Sequence, residues 1–446
     1  MNTILLQPQD VLFFKDGRPM SGSLSGHGAA WPLPTVISHA FHAALHRSGI
    51  ENVHRHVPGR SSEKRDYSDS NREENGRLFG SLHTVGPFPV FSRGENHQWY
   101  YPRPLDAGDP SCPLATFSPY RPDEKSGTVS NLPSPLRYTV GSSRPPSKNP
   151  LPAWWNQSAW DAYLRSSTGE DALDNDACLF DSDFQDVEHT YGIGIRADTG
   201  TVEEGQFYSA SYLRLKTGWS LGIFAQANDK GNDNSGYRRD LIAELLPQPE
   251  KPGVIVVGGQ QRVCTTVRYQ SNTLPLPRGR VDGFEQDNGK FLVKWVLLTP
   301  AIFPEIGSHH GGWLPNWVNH TDGQVMLKAE NTERRPGERR DLWRERVKAL
   351  PPVEAKLVAA LVPKPIPVTG YALINERDPE RSKGGPKTTH MAVPAGAVYY
   401  FEAASETAAR QLAAVLNWHG ADSAPSNLIR NRRSTLMGEK GFGIGV

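Results

Sequence analysis

Glycine and proline set the first constraint: 42 glycines and 37 prolines are scattered through 446 residues with no triplet period. Proline removes a backbone donor and glycine opens left-handed conformations, so together they cut the chain into short runs. Collagen needs the period and a helical bundle needs long unbroken helices, so both are excluded. What remains is an α+β architecture of short strands joined by many turns and long loops.

Charge narrows the partners. Lysine and arginine number 49 against 48 aspartates and glutamates. A near-neutral chain has no general basic field for nucleic acid, so any phosphate-binding surface must be local. Cys112, Cys178 and Cys264 are far apart and form no Cys-x-x-Cys pair. That argues against a disulfide framework and a thiolate zinc site, and fits a reducing cytoplasm. The N-terminal apolar run, Ile4-Leu5-Leu6, is too short for a signal peptide. No stretch nears the roughly 20 apolar residues of a membrane span. A soluble cytoplasmic protein with no membrane partner is expected.

Along the chain, residues 2–7 read as a strand, followed by the turn-rich Phe13-Phe14-Lys15-Asp16-Gly17-Arg18-Pro19. A helix starts at Pro34, with Val36, Ile37, Ala40, Phe41, Ala44 and Leu45 at helical spacing, and stops at Gly49. Prolines bound short strands at 87–91 and 98–102. Residues 206–215 and 219–225 alternate and read as the arms of one hairpin around Lys216-Thr217-Gly218. A short helix from Arg239 is cut off by Pro247. A strand at 253–257 leads into Gly258-Gly259-Gln260-Gln261-Arg262 and a second strand at 263–269.

In the second half, 290–299 reads as a buried strand, 353–361 as an amphipathic helix, and 368–374 and 397–402 as strands. Ser405 caps a helix through Trp418, and Gly420 lies just past its end. Each half therefore runs strand, helix, two strands, helix, glycine-rich loop. That is the β-α-β-β-α-β ferredoxin-like order, present twice, in domains at 1–280 and 281–446. Polar or proline-rich insertions at about 51–80 and 118–152 interrupt the first domain. An Arg/Glu-rich insertion at 330–346 interrupts the second and has no assigned role.

The chemistry-bearing motifs are few. Gly438, Gly441, Gly443 and Gly445 lie beside Arg430, Arg432, Arg433 and Lys440, with Glu439 the single acid from 430 to 440. Glycines let backbone N–H groups approach phosphate without a Cβ in the way, and the basic cluster points the same way. A glycine run by itself is more often only a turn. Lys440-Gly441-Phe442-Gly443 matches half of the aromatic signature of RNA-recognition motifs, but no helix and strand follow it, so a conventional motif is not expected.

His39, His42 and His46 share one helix face. Without a nearby carboxylate or fourth ligand they read as a solvated or partner-facing stripe before a metal or acid–base site. His309-His310 is treated alike. Asp10, Asp16, Asp181 and Asp183 are conceivable metal carboxylates, but Asp16 belongs to an Asp-Gly turn and Asp181 and Asp183 to an acidic loop. No phosphate-binding P-loop, HExxH, GxSxG or Rossmann fingerprint occurs in its required context. No catalytic residue, metal or cofactor is assigned.

The segment Gln9-Asp10-Val11-Leu12-Phe13-Phe14-Lys15-Asp16-Gly17-Arg18-Pro19 resembles the N-terminal signature of the Cmr subunit three family, within the RAMP superfamily of CRISPR-associated proteins. Gly86-Pro87-Phe88, Tyr101-Pro102-Arg103-Pro104, Gly258-Gly259 with Arg262, Thr299-Pro300-Ala301 and Val393-Pro394-Ala395-Gly396-Ala397 continue the likeness in order. The resemblance implies two ferredoxin-like RAMP domains in a non-catalytic subunit of the type III-B (Cmr) RNA-guided effector, an antiviral ribonucleoprotein. Such a subunit holds the 5′ tag of CRISPR RNA and docks the large polymerase-like subunit and the first backbone RAMP subunit. By position, it makes Lys15, Arg18, Gly258, Gly259, Arg262 and the stretch of Gly438, Lys440, Gly441, Phe442, Gly443 and Gly445 RNA contacts. Arg430, Arg432 and Arg433 join them on charge, and the two glycine loops are expected on one face along one RNA path. An alternative from another class is a RAMP endonuclease that processes CRISPR precursor RNA with a first-helix histidine as acid and base. A scaffold with no RNA contact is a third.

Overall fold

The computed structural model describes residues 1–15, 24–26, 31–48, 50, 81–109, 112–116, 118–120, 132–141, 149–165, 176–230, 238–246, 253–269, 271–287, 289–304, 312–329, 335, 337–372, 385–422 and 424–446. Asp16, Arg18, His309, His310 and the 51–80 insertion lie outside the described residues, as does much of 118–152.

In chain order the first half contains β1 (Asn2–Pro8), α1 (Pro34–Arg47), β2 (His83–Arg93), β3 (Asn96–Pro102), β4 (Trp154–Asn156) and α2 (Gln157–Leu164). It continues with β5 (Cys178–Leu179), β6 (Gln185–Ile195), β7 (Val202–Leu215), β8 (Trp219–Gln226), α3 (Leu241–Leu245), β9 (Gly253–Val256) and β10 (Val263–Tyr269). Eight of these strands form one sheet in the order β5-β4-β3-β2-β8-β1-β10-β9. Every pairing in it is antiparallel.

The sheet is covered on both sides, which explains why β1 is apolar at successive positions. Ile4 and Leu6 pack under Ile37, Phe41 and Leu45 of α1 and Leu241 and Ile242 of α3. Leu5 points the other way, into a cluster that contains Phe88, Trp99 and Phe224 from this sheet and Val296, Leu298, Val358, Tyr400 and Trp418 from the second half. A shared apolar core therefore joins the halves.

The second half builds on β11 (Lys290–Val296), β12 (Ala355–Leu361) and β13 (Val398–Ala403), with β13 in the middle. Two further helices are α4 (Arg340–Ala349), with no buried residue, and α5 (Glu406–Leu416), which packs on the sheet. Ser405 caps α5 as its sequence requires, its Oγ accepting from the Ala408 amide at 3.1 Å. The last residues run beside β11: Val446 N donates to Val296 O at 2.9 Å, and Leu298 N to Ile444 O at 2.8 Å.

Three sequence expectations are corrected. Residues 206–215 and 219–225 do not form one hairpin; β7 pairs with β6 in a separate sheet, and β8 lies between β1 and β2. The reason is burial: Leu221, Ile223, Phe224 and Ala225 have no exposed surface, and a two-stranded hairpin would leave one face of them in water. Residues 353–361 are not a helix. β12 lies with Leu357 in the second half's own core and Val358 and Ala359 against the first half, its register shifted by a bulge between Leu357 and Ala359. Burial on both faces outweighs the helix propensity of its alanines. The strand expected at 368–374 is two shorter ones, Ile366–Val368 paired with His390–Ala392 and Tyr371–Ala372 paired with Gly385–Pro386.

Candidate nucleic-acid interface

Beyond the end of β1 the chain is held between β10 and β7: Gln9 N donates to Val263 O, and Leu12 exchanges backbone hydrogen bonds with Leu213 at 2.8 and 2.9 Å. That places exposed Asp10, half-buried Phe13 and exposed Lys15 at one corner, with Phe14 turned inward. The β9–β10 turn closes on the same corner. Val257 N donates to Arg262 O at 2.8 Å, and Gln260 and Gln261 between them take φ of 55° and 52°. Two successive left-handed residues make the geometry of a type I′ turn, which Asn-Gly fits far better than Gln-Gln. Gly258 has φ +78°, and a Cβ there would sit 2.5 Å from Phe13 O. Gly259 N donates to that same oxygen at 2.8 Å. The glycines' local task is to let the turn close against Phe13.

The side chains at this corner form a cation–aromatic cluster. The Arg262 guanidinium lies 5.1 Å from the Tyr212 ring, which is 5.5 Å from Phe13. Asp10 takes Arg214 at 2.9 Å and Arg262 at a looser 3.5 Å, and Arg214 also pairs with Glu188. The hydrogen bond from Arg214 holds the Asp10 carboxyl below the usual carboxylate range, helped by the Val11 amide. Arg262 also donates to Gln260 Oε1 at 3.2 Å. Rings with a polar edge beside exposed cations suit a base and its phosphate. The long Arg262–Asp10 contact leaves that guanidinium free to exchange partners.

The terminal glycine loop is built differently. Residues 441–446 are buried, and Phe442 has no exposed surface, packing with Ile302, Val368, Ala392 and Leu436. Its amides are already paired: Gly441 N to Gly438 O, Gly443 N to Pro300 O at 2.7 Å, and Ile444 N to Thr299 Oγ1 at 3.0 Å. Arg432 donates to Thr84 O and Gly438 O, and Arg433 to Val415 O and Asn431 Oδ1. Burial pulls both guanidinium pKa values down to about 10. Arg430 is exposed but ion-paired with Asp422 at 2.6 Å, and Lys440 is half-buried. These amides and guanidiniums hold the C-terminal segment to the body, so the phosphate cradle expected from the glycines is not formed by them.

The two glycine loops also stand apart. Gln9 adjoins the Arg262 turn, whereas Arg432 reaches Thr84, which aligns through Ala225 with Asn2 at the other end of β1. They lie at opposite ends of a strand about 20 Å long.

Other expected groups have structural roles or none assigned. Asp183 accepts from Phe180 N at 2.7 Å and Asp181 from Trp154 Nε1 at 2.8 Å, both in a single helical turn. On α1, His39 is exposed and His42 half-buried; the His46 side chain is outside the described set. Sequence reasoning missed the β6–β7 hairpin and with it Tyr212 and Arg214. The signal was there in Val187, Tyr191, Ile193 and Ile195, alternating along β6 and all well exposed, but Gly192 and Gly194 interrupt it. No described helix is long and apolar enough to cross a membrane.

Comparison with known proteins adds a family. Among solved structures, the chain is similar to one in the type III-B Cmr-β complex bound to cognate target RNA and AMPPnP, at 13% identity and TM-score 0.38, covering 89% of this chain and 86% of that one. A structure of that complex bound to cognate target RNA gives the same figures. A chain of the Csm3–Csm4 subcomplex of the type III-A CRISPR–Cas interference complex matches at 8% identity and TM-score 0.35, covering 90% and 92%. No curated protein matches significantly. A family model of CRISPR-associated proteins, Cas_Cmr3, matches residues 4–423, from within β1 to beyond α5. With that pattern running through both halves and their shared core, the chain belongs to the Cas_Cmr3 family of CRISPR-associated proteins.

Proposed function

We propose that this chain is a non-catalytic, cytoplasmic subunit of a type III-B (Cmr) RNA-guided effector complex. It binds the 5′ tag of CRISPR RNA and docks the large polymerase-like subunit and the first backbone RAMP subunit, with no cofactor of its own. Family membership supports the assembly, and the observation that carries the RNA reading is the corner where Phe13, Tyr212 and Arg262 meet, with exposed Lys15 two residues along the chain from Phe13. Two side chains forced into left-handed backbone at Gln260 and Gln261 mark that corner as more than a turn, since such strain persists where the surroundings or a function require it. Arg18, three positions after Lys15 in the sequence, joins the proposed contacts on the family resemblance.

The strand order supports two ferredoxin-like units, at 1–280 and 281–446. In the first, β10-β1-β8-β2 is the 4-1-3-2 order, with α1 following β1 and α3 following β8. In the second, residues 444–446 lie beside the end of β11 on the side away from β13, followed by β11, β13 and β12, which is the same order with a very short last strand.

The test is RNA binding by the full chain under salt titration. Lys15→Ala with Arg262→Ala should weaken binding and flatten log K against log salt by about 1.4, from about 0.7 per phosphate contact on single strands. Unchanged slope and affinity would remove the corner from the RNA site. The same preparations should leave RNA intact; metal-independent cleavage lost in His39→Ala or His42→Ala would favour the processing endonuclease.

A further inference from the structure

Helix α4 has the sequence RDLWRERVKA and buries none of its residues. Its inner side is nevertheless fixed. Trp343, Arg346, Val347 and Leu350 are half-buried, and Arg346 grips Glu338 through two hydrogen bonds of 2.8 and 3.1 Å. Glu338 also accepts from the Arg335 amide at 2.9 Å, and the Arg346 hydrogen bonds bring its pKa down to about 2. Arg339 is neutralised by Asp341 at 2.6 Å. Those contacts account for two of the cations and for the acids Glu338 and Asp341.

Three cations remain. Arg340, Arg344 and Lys348 are exposed and make no ion pair among the described residues. They follow one another at four-residue spacing, so they form a single exposed row about 6 Å apart that flanks the half-buried side of the helix. Glu345 is the acid beside them. A regular row of long, hydrated cations with no apolar centre is a poor protein interface, whose core is depleted of charge. It is a good match to a polyanion with evenly spaced charges along one strand.

We propose that Arg340, Arg344 and Lys348 form a second, sequence-independent contact with the phosphate backbone of RNA. The proposal rests on the reading of the chain as an RNA-holding subunit and adds a site that the glycine loops and the Lys15–Arg262 corner do not include.

The experiment is a salt titration of oligouridine binding to the full chain. It compares wild type, the triple variant Arg340→Gln/Arg344→Gln/Lys348→Gln, and a control that removes equal charge elsewhere, Lys290→Gln/Lys364→Gln/Arg410→Gln. The triple variant should keep its melting temperature, because α4 has no buried residue. Its salt slope should fall by about 2, with affinity about 50-fold lower at physiological salt, while the control should change little. If wild type binds and the triple variant matches it, the inference is overturned. If the control falls as far as the triple variant, only total charge matters, and the row is likewise refuted. If wild type shows no salt-dependent RNA binding, the RNA-holding reading itself fails.

Discussion

Asp106 has no exposed surface and sits where the two halves meet. Its carboxylate accepts from Tyr163 Oη at 2.7 Å, Tyr400 Oη at 2.8 Å and Lys294 Nζ at 3.1 Å, and the Lys294 ammonium lies 3.9 Å from the Tyr163 ring. Burial, reinforced by Asp106, pushes both phenols well above their ordinary pKa. Asp106→Ala strands three donors, one of them charged, and should cost about 3–5 kcal/mol in denaturant unfolding. Asp106→Asn keeps an acceptor and should cost less; equal stability in both variants would show that the network holds nothing. Nothing in the sequence near Asp106 announced this, because its partners lie 57, 188 and 294 positions away.

Two histidines give the fold a pH dependence. Burial, then Arg432, brings His83 down to about 4; burial, then Arg278, does the same for His419. In the unfolded chain both titrate near the ordinary value of about 6.5. Between those values the unfolded state binds more protons, so stability is complete above about 6.5 and falls as pH drops toward 4. The melting temperature should decline over that window, and His83→Gln with His419→Gln should flatten the decline. An equal decline in the double variant would assign it to other groups.

At the scale of elements, the terminal glycine loop divides into glycines that packing requires and one that it does not. Gly443 has φ +74°, and a Cβ there would collide with Ser434 N; at Gly438 the nearest atom, Arg432 Cβ, lies at an ordinary 3.5 Å. Gly443→Ala should destabilise the chain by several kcal/mol, about 1–2 of it from the left-handed backbone alone, whereas Gly438→Ala should be near neutral. Equal, small effects would contradict the packing role. The sequence showed where these glycines are, but a run that approaches phosphate and a run that approaches its own backbone look the same in one dimension. α1 and α5 were legible because period and caps are local. β12 was not, because residues buried on both faces lose the alternation that identifies a strand; β8 was read as a strand but given the wrong partner, because strand pairing is not local.

Over the whole molecule, near-zero net charge and a shared apolar core describe a body that can offer phosphate a cation only where the fold leaves one unspent. The family segments were readable, since they depend on pattern. Which basic residues stay unspent was not, since Arg432 and Arg433 are committed to carbonyls by the fold while Lys15 is exposed and Arg262 only loosely tied. The most direct measurement is ultraviolet crosslinking of CRISPR RNA in the assembled complex, with the crosslinked peptides of this chain mapped by mass spectrometry. Tag-nucleotide crosslinks are expected in the peptides that carry Phe13 and Lys15 and in those that carry Tyr212 or Arg262. Tag crosslinks confined to other subunits, or on this chain only around the buried 441–446 loop, would contradict that expectation.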